Sequence, residues 1–387
     1  MSKRIQWIFF ASNAKPSSMR RALAYRLAEE FPVIVVCEAL SLLHERKRPA
    51  LADRIRSWAD LPNLREYTPI HYPERLPIAG RWLKQYGRRR QVAELDQVLS
   101  PSGVARRIVC YDSPNQHNLV GRLGESMSIY LAIDDRTVTV WGEPIAGEAE
   151  DERELLTKVD RVICVSAPLA ATLRARAPAG RDLPIDILTN GYDERLFDPH
   201  QGWEQPAGLE SFPHPRVLVA GHVSERIDWE GVRAAATSRP AWSWFFVGPA
   251  DNGMAGRIAA ISKASGARME LHPPVLHEAV PAWIAHCDVC AVPYRLNDFT
   301  KASSPLKAIE YLGAGAPVLS TAIPSLVPFG DAIAWVTEGD GASYASALDA
   351  LAKDARSAAA VERRCSAVVE HTLGHKARRF RALLEVA

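Results

Sequence analysis

Lys307 and Glu310 stand three residues apart in the run SPLKAIEYLGAGAPVLST, a spacing that lets one short helix meet a ligand at two points. An apolar strand over Val289 to Pro293 leads into a polar loop, Arg295 to Ser304. A helix is predicted from about Pro305 to Ala314. Gly313 and Gly315 then stop it, and Pro317 to Thr321 starts a second strand. Ser304 is expected to cap the helix with its hydroxyl, and Pro305 suits its first position. Lys307 is a cation at the positive end of the helix, a clash of about 0.3–1 kcal/mol. A bound anion reverses that sign. Helix amides, Ser303, Ser304, Lys307 and the neighbouring Lys301 then converge on one phosphate-sized target. Glu310 lies one turn further on, where its carboxylate accepts hydrogen bonds from sugar hydroxyls. An ordinary βα unit with a surface Lys and Glu is the competing reading.

The elements that position these residues alternate along the chain. Ile5 to Ala11 and Pro32 to Glu38 read as buried strands around a helix from about Met19 to Glu30. Fully apolar strands joined by a helix mean a parallel, doubly wound sheet. The first turn lacks G-x-G-x-x-G, which argues against a nicotinamide or flavin site. HERKRPALADRIRSW and GRWLKQYGRRRQVAELDQVL are helical in period and rich in Arg. The strand Arg107 to Asp112 ends in Asp112, with Asn115 and His117 close behind. Ligands bind beyond the carboxyl ends of such strands, so Asp112, Asn115 and His117 are candidates for acceptor contact or acid–base work. A helix over Gly147 to Asp160, a strand over Arg161 to Ser166 and a strand over Ile185 to Asn190 complete this half. Residues 198–215 are rich in Pro and Gly and read as a linker. A strand over Val217 to Ala220, a turn at Gly221 and a helix near Asp228 open the second half. A helix is expected from His277 to His286, and the tail from Tyr344 onward reads as helical throughout.

The run SPLKAIEYLGAGAPVLST resembles the nucleotide-sugar signature of glycosyltransferase family 4, retaining enzymes of the GT-B fold. NGYDERLFDP, from Asn190, resembles the stretch that closes the first domain of that family, and SWFFVGP resembles another of its segments. The resemblance implies two Rossmann-like doubly wound domains facing a cleft: an acceptor domain over 1–200, a donor domain over 213–365, and a last helix over 366–387 crossing back to the first. It gives Glu310 the donor ribose and the loop from Lys301 to Leu306 the donor phosphates. It brings Gly221 and Arg226 to the diphosphate, and Val275 to the base through backbone contacts. Two positions depart from the pattern. Ala302 stands where the family often has a second glutamate, and Trp229 and Glu230 stand where a phosphate-binding Lys is sought. The implied reaction transfers a sugar from a UDP- or GDP-linked donor to a saccharide or lipid-linked acceptor, in bacterial cell-surface polysaccharide synthesis. With no carboxylate placed as nucleophile, front-face substitution is expected, and Arg226 and Lys307 would stabilise the leaving diphosphate. A non-catalytic nucleotide-sugar binding protein and a sugar-nucleotide epimerase are the alternatives.

Composition bounds these readings. The chain has 387 residues, 47% hydrophobic and 24% charged, enough for two or three domains with sizeable cores. No apolar run reaches the length of about 18 residues that a membrane helix needs. Six cysteines fall mostly in apolar runs, so Cys287 and Cys290 read as core thiols and a reduced, cytoplasmic protein is expected. His272, His277 and His286 lack metal-ligand spacing, and no metal or cofactor is expected. Residues 1–110 hold 20 Lys and Arg against 10 Asp and Glu, a net of +10 in a chain whose total is +2. Arg75, Arg81, Lys84, Arg88, Arg89 and Arg90 cluster there with Trp82 and Tyr86. Such a face fits an anionic membrane surface or, equally, a solvated helix. Nucleic acid is disfavoured because no binding motif accompanies the charge.

Overall fold

A computed structural model describes residues 5–11, 19–41, 50–71, 80–98, 104–354 and 357–385. In its first half the strands are β1 (Ile5–Phe10), β2 (Val33–Val36), β3 (Leu40–Ser41), β4 (Ile55–Ser57), β5 (Leu64–Tyr67), β6 (Ile70–His71), β7 (Arg106–Tyr111), β8 (Met127–Ala132), β9 (Arg161–Cys164) and β10 (Ile185–Ile187). The helices are α1 (Met19–Ala28), α2 (Gly80–Val98), α3 (Glu148–Lys158) and α4 (Ala167–Arg176). Eight strands form one sheet in the order β10-β9-β8-β7-β1-β2-β5-β4, parallel except for the β4–β5 pair. β3 and β6 pair separately. β1 is apolar except for the buried Gln6, because both its faces are covered. Ile8 and Phe10 pack under α2, α3 and α4, while Trp7 and Phe9 pack under α1.

The second half contains β11 (Arg216–Ala220), β12 (Ser243–Val247), β13 (Met269–His272), β14 (Val289–Val292), β15 (Val318–Thr321) and β16 (Ile333–Val336). Its helices are α5 (Trp229–Ser238), α6 (Met254–Ser265), α7 (Val280–Ala285), α8 (Asp298–Ala302), α9 (Leu306–Gly313), α10 (Gly341–Asp354), α11 (Ala358–Ala367) and α12 (Leu373–Leu383). The six strands run parallel in the order β13-β12-β11-β14-β15-β16. Strand order reverses at β11, so a crevice opens beyond the carboxyl ends of β11 and β14. Asp228 caps α5 through the amide of Gly231 at 3.0 Å.

Three expectations need correction. The basic run 44–58 is not a helix where it is described: Ala52–Arg54 is one 3-10 turn and β4 follows it. The unpaired edge of β5 offers backbone partners there, and that pairing overrides a weak helical period. The loop Arg295–Ser304 contains α8, capped by Asn297, whose carboxamide oxygen accepts from the Thr300 amide at 2.9 Å. The tail is not helical throughout: among the described residues it divides into α10, α11 and α12. Thr372 is extended and bridges to Tyr192, which breaks the chain before α12. Arg75 lies outside the described residues, as do the side chains of Arg81, Trp82, Lys84 and Arg88.

α12 leaves the second domain and packs on the first. Phe380 is fully buried against Trp7 and Phe9, with ring centroids 5.5 Å and 6.2 Å away. Lys376 reaches back to the Thr189 hydroxyl at 2.8 Å. Replacing Phe380 by Ala leaves a void beneath β1, and the cost of such truncations is about 3–5 kcal/mol. Chemical denaturation should show a loss of that size. A loss below about 1 kcal/mol would mean that α12 is not part of the first domain's core.

Candidate active site

The crevice beyond β11 and β14 deepens into a cavity of about 560 Å³. The start of α9 forms one wall. Its N-cap is Pro305, with no side-chain cap, so the expected capping role of Ser304 is not seen. The helix begins one residue later than its sequence suggests, which leaves the Ser304 hydroxyl too early to reach the free amides. Ser304 is buried instead, and its carbonyl accepts from the Asn190 side chain of the first domain at 2.5 Å.

Gly221, Arg226, Val275, Ser303, Ser304, Pro305, Leu306, Lys307 and Glu310 all line this cavity. Lys301 does not; it is exposed at the end of α8. The two cations lie against one tyrosine ring. The Arg226 guanidinium lies 4.8 Å from the centre of the Tyr294 ring, and the Lys307 ammonium 5.2 Å from it. No carboxylate pairs with either among the described residues. Burial lowers the Lys307 pKa, and the neighbouring Arg226 adds to the effect against the pull of Tyr294. Two basic side chains thus stand together with no ion-paired carboxylate, an arrangement that an anionic ligand would stabilise. Gly221 makes this close approach possible. It has φ +106°, and a Cβ there would meet the Lys307 ammonium at 2.5 Å.

Glu310 is buried on the next turn of α9, and the His277 ring nitrogen lies 2.8 Å from one carboxylate oxygen. Burial alone would lower the His277 pKa, but the Glu310 carboxylate outweighs it and holds the imidazole above its ordinary value. His277 fixes one oxygen of Glu310 and leaves the other for a ligand's hydroxyls. The sequence gives no sign of this pair, whose members lie 33 residues apart.

Position 302 acquires a physical explanation. Ala302 packs into the apolar core of the first domain, and its carbonyl accepts the Ser166 hydroxyl at 2.5 Å. α8 is thus a domain contact, and a glutamate there would bury an unpaired charge. Trp229, where a Lys was sought, is buried with its indole nitrogen donating to the Ser224 carbonyl at 3.1 Å.

The first domain faces the crevice with a second cavity of about 690 Å³. Asp112 and His117, expected there, line neither cavity. Asp112 lies buried beneath Arg20, which pairs with it at 2.9 Å. The 3-10 turn Pro114–Asn118 aims His117 at α3, with Lys158 at 3.2 Å and Asp151 at 3.3 Å. Asp134, which follows β8, is the carboxylate that sequence reasoning left unplaced. It lines both cavities. The strand-end rule that singled out Asp112 on β7 applies equally to Asp134 on β8.

The family model for glycosyl transferases group 1 matches residues 214–354, the part of the chain that carries the first cavity. The putative teichuronic acid biosynthesis glycosyltransferase TuaH of Bacillus subtilis is 23% identical over 259 residues, 64% of this chain and 63% of that protein. Solved structures align over nearly the full length. Sucrose-phosphate synthase from Thermosynechococcus elongatus superimposes with a TM-score of 0.72 at 17% identity, covering 99% of this chain and 98% of the other. The α,α-trehalose-phosphate synthase (UDP-forming) from Burkholderia vietnamiensis gives 0.73 at 11% identity, covering 98% and 99%. Anabaena Alr3699/HepE gives 0.68 at 12%, also covering 98% and 99%. At these identities the likeness shows the GT-B fold. The glycosyltransferase signature, from Ser304 to Thr321, thus forms α9 and β15 of the cavity wall.

The His277–Glu310 pair can be read by proton titration. With the folded pKa raised, the pair stabilises the protein fully below the ordinary imidazole value, and that contribution is lost as pH rises through the folded value. In Glu310→Gln burial is opposed only by the weaker pull of Glu278 and Asp193, so the NMR titration midpoint of His277 should fall below its wild-type value. An unchanged midpoint would mean that the two side chains do not pair in solution.

Proposed function

We propose that this protein transfers a sugar from a nucleoside diphosphate sugar to an acceptor, in the assembly of a cell-surface polysaccharide. The observation that carries the reading is the unneutralised pair Arg226 and Lys307 at the start of α9, with Glu310 one turn away. Two cations and free helix amides suit a diphosphate, and the carboxylate suits a ribose. Val275 and Leu276 line the far side of the cavity, where a base would rest. A uridine nucleotide is favoured because Anabaena HepE is described in complex with UDP and glucose, and an Escherichia coli relative as bound with UDP-2-fluoro glucose. The relation to a teichuronic acid enzyme supports the polysaccharide.

The acceptor belongs in the second cavity, between the loop after β8 and α1. It is a saccharide or a lipid-linked saccharide. Supporting the lipid form, Trp141 and Ile145 on that loop are exposed, and Ile145 lines the cavity. Among the described residues no helix is long and apolar enough to cross a membrane. Attachment at an anionic surface would instead come from the basic residues of α2, where Arg89 is exposed. Each such residue contributes about 1 kcal/mol near anionic lipid. Wild-type protein should therefore sediment with vesicles rich in phosphatidylglycerol at low salt, and Arg88, Arg89 and Arg90 changed together to Glu should stay behind. Wild type that remains in the supernatant removes the membrane from the reading.

The donor site is tested by calorimetry with UDP and with uridine. Charged hydrogen bonds contribute about 1.5–3 kcal/mol each. Arg226→Ala and Lys307→Ala should each weaken UDP about tenfold or more and leave uridine nearly unchanged. Equal losses for both ligands would show that these residues act through folding. Release of UDP from UDP-glucose, faster with protein than without, separates a transferase from a binding protein.

A further inference from the structure

His277 lines the donor cavity and is backed by a fixed surface. It opens the 3-10 turn His277–Ala279, directly after the extended Leu276. Its ring lies against the Phe197 ring, with centroids 5.4 Å apart. Phe197 is buried, and its amide donates to the Asp193 carbonyl at 3.0 Å. From this seat the imidazole faces α9, where Nε2 donates to Oε1 of Glu310 at 2.8 Å. A carboxylate only accepts, so Nε2 carries the proton of that contact. Burial works against a charged imidazole, but Glu310, Glu278 and Asp193 outweigh it and raise the His277 pKa. The contact is therefore charge-assisted over a wider pH range than an ordinary histidine allows.

A held carboxylate discriminates among ligands more strictly than a free one. The Glu310 side chain is 8% exposed, and its carboxylate makes no other hydrogen bond or ion pair among the described residues. Without His277 it could turn toward water when a ligand brings no hydroxyl. With His277 in place its second oxygen meets either a ligand hydroxyl or nothing, and a buried acceptor left unpaired is costly. Sites built this way reject analogues that lack the hydroxyl far better than analogues that differ only in apolar bulk. Nucleoside diphosphate sugars are built on ribose or on 2′-deoxyribose, and the two differ by one hydroxyl.

We propose that His277 is a positioning residue that makes the donor site select ribonucleotides and reject 2′-deoxyribonucleotides. It touches no reacting atom. It acts through Glu310, by fixing one carboxylate oxygen so that the other stays directed at the ribose. The assignment rests on the nucleotide-sugar reading above and adds the class of nucleotide to it. Donors built on deoxythymidine diphosphate are excluded on this ground, whatever sugar they carry.

Calorimetry with UDP, GDP and their 2′-deoxy forms tests the assignment on the full chain. Wild type should bind the ribonucleotide it prefers about tenfold or more tighter than the matching deoxy form, the difference that one charged hydrogen bond makes. His277→Ala frees Glu310, so the ribonucleotide should weaken about 2–10-fold, the cost of ordering one side chain, while the deoxy form changes by less than about twofold. His277→Gln, whose amide has a similar reach, should recover most of the preference. His277→Asn, which is too short to meet Glu310, should not. In Glu310→Gln the preference should fall, and adding His277→Ala should change it no further. Equal losses for the ribo and deoxy forms in His277→Ala and His277→Asn, or no loss in either, overturn the assignment. So does a wild type that binds a ribonucleotide without distinguishing it from its deoxy form. Wild type that binds neither UDP nor GDP overturns the nucleotide-sugar reading, and this assignment with it.

Discussion

Two cations lie against one tyrosine ring at the centre of this molecule. Arg226 and Lys307 approach the Tyr294 ring at 4.8 Å and 5.2 Å, and neither meets a carboxylate among the described residues. Cation–π attraction contributes about 0.5–2 kcal/mol to each, which eases their mutual repulsion without removing it. A fold keeps such an arrangement only if the surrounding backbone is rigid. Here it is. Tyr294 is buried at the end of β14, Lys307 stands on α9, and Arg226 follows a turn whose glycines leave no slack. A Cβ on Gly248 would meet the Gly221 carbonyl oxygen at 2.2 Å, so the turns after β11 and β12 touch backbone to backbone.

The same wall is tied to the opposite domain. Ala302 and Ser304, just ahead of α9, offer carbonyls to Ser166 and Asn190. Asn297 donates to the Val140 carbonyl at 3.2 Å. The loop that would hold the phosphates is therefore also the loop that sets the spacing of the domains. Its polar backbone groups find partners across the cleft, and so meet the general demand that buried groups be satisfied. α12 closes the circuit on the other side, where Lys376 reaches Thr189 and Phe380 seals β1.

The sheets and the cavity wall were legible in the sequence. Apart from Gln6, Arg106, Arg107 and Arg161, the strands β1, β2, β7 and β9 are apolar on both faces, as a parallel, doubly covered sheet requires. Lys307 and Glu310 were legible because one helix carries both and their spacing survives any tertiary detail. Other features depend on partners remote in the chain. His277 reads as a helix-start histidine without a partner until the fold brings it to Glu310. Asp112 and Asp134 look alike from the sequence, each at the end of an apolar strand. Only the packing of α1, which lays Arg20 over Asp112, separates a neutralised carboxylate from an open one. β4 was missed because an edge strand is dictated by its neighbour's free backbone and not by its own residues.

The position of the open carboxylate matters as much as its identity. In the family that the signature resembles, a second glutamate on the donor wall often stands near the transferred sugar. A carboxylate there keeps its place beside the sugar whether the cleft is wide or narrow. This chain uses that position for a domain contact, and Ala302 is buried in the first domain's core. Asp134 belongs to the other wall and lines both cavities, so the charge that position 302 lacks is supplied to the cleft from the first domain.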